Sequence, residues 1–98
     1  MILHIISKNY HSNNPELGLA ISSLDNQNDS ILFIADGIYC LLNDDNMNKL
    51  AAISNVYVIK DDLIAKGISK DKIRHDIKKI EYIDFVELVK THDKNITW

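Results

Sequence analysis

The chain carries one cysteine, Cys40, and four histidines, His4, His11, His75 and His92. These are the side chains with the widest chemical range here. A cysteine acts through its thiolate, so a reactive one needs exposure and a lowered pKa, often at a helix N-terminus or beside a cation. Cys40 lies in the stretch IADGIYCLL, residues 34–42. It comes just after Asp36-Gly37 and sits close to an expected helix start, which suits a reactive thiol. Its neighbours Tyr39, Leu41 and Leu42 suit the opposite role, a small hydrophobe packed inside. No second cysteine is present to resolve a persulfide. The buried reading is favoured, and a Cys40-dependent persulfide carrier stands as the alternative.

No histidine is spaced with another histidine or with Cys40 as a metal site requires. His4 falls in an apolar run and reads as a hydrogen-bonded core residue. His11 comes after Tyr10 at the end of the first strand, where it could line a shallow site. His75 and His92 read as surface residues. Nothing assembles a nucleophile, a base and an orienting acid. Asp36-Gly37 ends a strand, and ligands of open parallel sheets gather beyond strand carboxyl ends. The simpler role is structural, with Asp36 capping the next turn and Gly37 permitting the bend. No glycine-rich phosphate loop succeeds either early strand. Neither a cofactor nor a metal is indicated. Trp98 closes an apolar pair with Ile96, either packed on its own sheet or contributing to a subunit interface.

These residues must be positioned by alternating strands and helices. Residues 2–7 form an isoleucine-rich strand. Asn14 caps a helix with Pro15 at its first position, and Leu17, Ala20, Ile21 and Leu24 continue it at helical spacing. Residues 30–35 place Ile31, Leu32, Phe33 and Ile34 in a row, a strand buried on both faces. The chain then turns helical, and Met47, Leu50 and Ala51 mark another helix. Residues 55–59 make a third strand. Asp61 or Asp62 caps a short helix that Gly67 ends. Ser69, Ile73 and Ile77 allow a further helical turn, and residues 79–82 suit a fourth strand. Asp84-x-x-Glu87 has capping-box character, alongside the apolar residues Phe85, Val86, Leu88 and Val89. Repeated βα units predict an α/β fold, three layers around a mainly parallel sheet of four or five strands.

With 98 residues, the expectation is one domain spanning 1–98. Hydrophobic residues at 46% and charged residues at 26% fit a globular chain and exclude a disordered one. A net charge of −3 makes the chain a poor general polyanion binder, so direct contact with a nucleic acid is not expected. The local exception is the lysine-rich region 60–79, which contains Lys60, Lys66, Lys70, Lys72, Arg74, Lys78 and Lys79. Interspersed aspartates make it a solvated surface or a docking patch for an acidic partner. The opening MILHIISKN lacks the features of a signal peptide. No stretch reaches the roughly 20 apolar residues of a membrane span. The expectation is a cytoplasmic location without membrane contact.

Taken in order, MILHII, ILFIADGIY, VYVIKDDLIAKGI, IEYIDFVELV and the tail from His92 to Trp98 resemble the TusB/DsrH family, across essentially the whole chain. The resemblance implies a DsrE-like fold and a subunit of a heterohexamer with TusC/DsrF-type and TusD/DsrE-type partners. It implies a sulfur relay that supports 2-thiolation of the tRNA wobble uridine, with transient sulfur donor and acceptor proteins. It also implies that the sulfur-carrying cysteine belongs to the TusD-type subunit. Some DsrH-type members carry a cysteine in the first helix, and this chain has none in residues 14–24. The expected role is therefore a non-catalytic subunit, not an enzyme by itself. Asp36, Gly37, His11 and Trp98 are its structural or interface candidates. A stand-alone homo-oligomer with a regulatory or ligand-binding role is the remaining alternative.

Overall fold

The structure is a computed structural model and describes residues 1–10, 14–25 and 27–98. Among the described residues, five strands form a sheet: β1 (Ile2–Ile6), β2 (Ser30–Phe33), β3 (Val56–Ile59), β4 (Lys78–Ile80) and β5 (Lys94–Thr97). Their order is β4-β3-β2-β1-β5, and every neighbouring pair is parallel. The α/β expectation of a parallel sheet of four or five strands holds, with five. All four residues of β2 are buried, as an unbroken apolar strand between two covered faces requires.

The strands are connected through the helices α1 (Pro15–Ser22), α2 (Asp44–Leu50), α3 (Lys60–Ala65) and α4 (Tyr82–Thr91). A 3₁₀ segment, Ala35–Leu42, precedes α2. The steps from β1 to β4 run in one direction across the sheet. With right-handed crossovers, their helices must share one face. Leu17, Ala20, Ile38, Leu50 and Leu63 indeed pack there with Ile6, Ile31, Phe33 and Val58. The step from β4 to β5 runs back past every other strand, so α4 lies on the opposite face. Phe85 and Leu88 are its contacts there with the cluster of Leu3, Ile5, Leu32 and Ile59.

Local chemistry explains most element ends. The Asn14 side chain accepts the Glu16 N–H at 2.8 Å, with Pro15 in the first turn. This is the expected cap. Gly67, at φ 69°, ends α3. Its N–H reaches the Ile64 carbonyl at 3.0 Å, and the Ile68 N–H reaches that of Leu63 at 2.9 Å. Two such reversed bonds define a Schellman motif. Three expectations need correction. Neither Asp61 nor Asp62 caps α3; Ile59 holds that position without a side-chain bond. The helix α4 starts before Asp84, whose carboxylate accepts the Glu81 N–H at 3.0 Å. The tail after His92 is a strand, β5, paired with β1.

Candidate functional site at the carboxyl edge of the sheet

The carboxyl ends of β1 and β2 meet closely. The Ile34 N–H donates to the Ile6 carbonyl at 3.0 Å. Gly37 lies directly against that carbonyl, and a Cβ at this position would be 2.0 Å from the Ile6 oxygen. Glycine is thus required by space. Its φ is not positive; the left-handed residue in this turn is Ala35, at φ 50°. Asp36 does not cap the turn. Its exposed carboxylate pairs with Lys66 Nζ at 2.6 Å, and this hydrogen bond raises the Lys66 pKa. The same ammonium lies 5.6 Å from the Tyr39 ring centroid, within cation–π range.

Asp62 joins three elements along this edge. One carboxylate oxygen accepts the Ala35 N–H at 2.9 Å, and the other accepts the Tyr82 hydroxyl. The first of these bonds supports the strained left-handed residue. The Tyr82 pKa rises, chiefly because its proton is held by Asp62. Neither Asp62 nor Tyr82 stands out in the sequence. The DDL triplet signals a helix cap there, and only the fold brings Ala35 and Tyr82 to it.

Cys40 lies beneath this edge, 1% exposed. Its sulfur accepts the Tyr10 N–H at 3.2 Å and faces the Lys8 and Tyr10 carbonyls at 3.5 and 3.7 Å. Burial pushes the thiol pKa up, and the Tyr10 N–H offsets this only in part. A thiolate nucleophile requires the reverse. Buried Asn46 ties the same region together, donating to the Cys40 carbonyl at 3.1 Å and to that of Tyr10 at 3.5 Å. The thiol is thus a strut beneath the loop that leaves β1.

His11 lies outside the described residues, whereas the other three histidines are placed. His4 is 1% exposed in β1; its Nδ1 accepts the Trp98 indole N–H at 3.2 Å. The two rings stack at 6.2 Å between centroids. Trp98 also bonds through its backbone N–H to the Ile5 carbonyl at 2.8 Å. It packs against the larger core cluster. His75 is exposed. His92 is buried, not superficial, and bridges the Leu88 carbonyl at 2.6 Å and Ser30 Oγ at 2.9 Å. Among the described residues, no His, Cys, Asp and Glu cluster could hold a metal ion. Asp36, Lys66, Tyr39, Asp62 and Tyr82 form a paired polar ridge suited to recognition, while the thiol below faces backbone groups.

Comparisons with known proteins agree with this geometry. The family model described as DsrH like protein matches residues 12–95. Protein TusB of Buchnera aphidicola subsp. Acyrthosiphon pisum is 36% identical, covering 99% of this chain and all of the relative. Protein TusB of Escherichia coli O81 is 32% identical, covering 81% of this chain and 84% of the relative. The solution structure of Tm0979 from Thermotoga maritima superposes with TM-score 0.66 at 27% identity, covering 95% of each chain. The crystal structure of the ychN protein from E. coli has TM-score 0.73 at 14% identity, covering 100% of this chain and 99% of the other, and speaks to the fold alone. With a full-length match in sequence and the same parallel architecture, the chain belongs to the TusB/DsrH family.

Proposed function

We propose that this chain is the non-catalytic, single-domain subunit of a cytoplasmic, heterohexameric sulfur-relay complex that supports 2-thiolation of the tRNA wobble uridine. Its partners are TusC/DsrF-type and TusD/DsrE-type subunits, the latter bearing the active cysteine. The observation that carries this reading is the state of Cys40: buried, held by backbone groups and raised in pKa. A family member without an available thiol contributes shape and contacts, and the reactive sulfur lies on another chain. The first helix, Pro15–Ser22, contains no cysteine either.

The outer surface of α4 supports assembly. This helix covers the second face of the sheet, yet Tyr82, Ile83, Val86 and Val89 are exposed along it. Their spacing of one, four and seven residues from Tyr82 forms a single stripe. A stripe of this kind is suited to packing against a related α/β subunit. The ridge around Asp36 and Asp62 sits beside the start of α4, so docking there would place the ridge close to a partner's chemistry.

The test is co-expression of the tagged chain with candidate related subunits, then incubation with a persulfide donor and mass spectrometry. The expected result is a mixed complex in which the sulfur adduct lies on the TusD-type chain. A chain that copurifies with no related subunit, or that carries the adduct on Cys40, overturns the reading.

A further inference from the structure

The lysine-rich region 60–79 contains a structural feature that the relay reading leaves unused. A cavity of about 300 Å³ opens between α3 and the turn after it. Its floor is Leu63, Ile64 and Ile68, and its rim is Lys60, Ser69 and Lys70. The Schellman motif builds it. Gly67 reverses the chain and lays Ile68 back over Leu63, held by the bond from the Ile68 N–H to the Leu63 carbonyl.

The charge around the cavity is one-sided. Among the described residues, no carboxylate lines it, although Asp61 and Asp71 are neighbours in sequence. Among the described residues, Lys60 and Lys70 form no ion pair, while Lys66 and Arg74 are engaged by Asp36 and Asp76. Ile64 is 69% exposed, an unusual position for an isoleucine between two unpaired cations. The volume lies at the low end of ligand pockets, roughly 300–1,000 Å³, and suits one or two side chains. No described aromatic residue lines it, so it lacks the stacking platform used to hold single-stranded nucleic acid.

We propose that this cavity docks an acidic segment of another protein, with one apolar anchor side chain on Leu63, Ile64 and Ile68 and carboxylates of the same segment on Lys60 and Lys70. The lysines steer and orient the segment, and the apolar floor supplies the desolvated anchor contact. The proposal stands independently of the relay reading. A chain that failed to assemble with related subunits would still bind such a segment.

The test uses the full chain and an array of ten-residue peptides, each with a central Leu, Ile or Phe flanked by Asp and Glu at every spacing. Matched peptides carry Ala at the anchor or Lys in place of the acids. Binding is read by fluorescence anisotropy at physiological salt. Acidic peptides with an apolar anchor are expected to bind at least tenfold more tightly than both controls. Ile64→Ser, at an exposed site and checked for native melting, should weaken them about tenfold. Lys60→Glu with Lys70→Glu should abolish their binding and leave the fold intact. Binding that favours the basic peptides, or ignores both changes, overturns the proposal, as does no peptide binding above the controls. A single-stranded oligouridine that binds in place of the peptides, and is lost on the double charge reversal, overturns it in favour of a polyanion site.

Discussion

Trp98 donates its indole N–H to Nδ1 of His4 at 3.2 Å, so the imidazole must be neutral and protonated at Nε2. The geometry therefore assigns the tautomer. Nε2 faces the Asp29 carboxylate at 3.7 Å. Burial lowers the His4 pKa, and Asp29 opposes this only in part.

A proton on His4 would turn Nδ1 into a second donor facing the indole N–H. A base whose folded pKa lies below its unfolded value binds its proton preferentially in the unfolded chain. Stability is then full above the unfolded histidine value of about 6.5. It falls as pH drops through that value toward the lower folded pKa. Urea melts monitored by Trp98 fluorescence should show this loss as pH falls below about 6.5. His4→Leu should remove that pH slope while lowering stability above the histidine range. A slope unchanged by the substitution would assign the effect to another group.

Gly37→Ala places a methyl group 2.0 Å from the Ile6 carbonyl oxygen. The methyl meets backbone, the Ile6 carbonyl at the end of β1, and is itself fixed to the 3₁₀ segment that leaves β2, so the clash is relieved only by moving one of these segments. The expected cost is about 3 kcal/mol, seen as a fall in the urea midpoint at constant slope. Gly18→Ala is the control, since nothing lies within 4 Å of its added Cβ.

Asp62 holds the Tyr82 proton and raises its pKa. Asp62→Asn removes the charge and should bring the phenol back toward the ordinary tyrosine range. Ultraviolet absorbance titration, with Tyr82→Phe as the reference, reads that shift directly. The same substitution weakens the bond to the Ala35 N–H, so amide exchange at Ala35 should accelerate.

Cys40 should react with a thiol reagent only when the chain opens. Its labelling rate in native buffer should be far below that of a free thiol and rise with urea. Cys40→Ala should cost about 1 kcal/mol, without reducing sulfur transfer by the assembled complex.

Val86→Asp puts a charge in the middle of the exposed stripe on α4. The isolated chain should retain its melting transition within about 0.5 kcal/mol. Association with related subunits, measured by size exclusion and light scattering, should be lost. Retention of the mixed complex would remove α4 from the interface.

Much of the architecture was legible from local patterns. Apolar runs at Ile31–Phe33 and Val56–Ile59 specify buried strands, Asn14-Pro15 a helix start, and Gly67 a helix end. These signals depend on neighbours in the chain, which a sequence displays. The strand β5 was not legible, because Lys94–Thr97 is exposed at all four residues and lacks an apolar pattern. An edge strand is held by backbone pairing with its neighbour, here β1.

The sequence by itself determined the βα order, the absence of a metal or nucleophile motif, and the family resemblance. Only the tertiary structure decided what each candidate residue does. It turned Asp36 from a cap into an ion-pair partner, made Gly37 a spatial requirement, and brought His92 inside. It also brought together His4 with Trp98, and Asp62 with Ala35 and Tyr82, pairs separated by 20 to 94 positions. The physical reason is that burial, hydrogen-bond partners and pKa depend on which distant segments the parallel crossovers bring into contact. A residue's own neighbours in the chain do not carry that information.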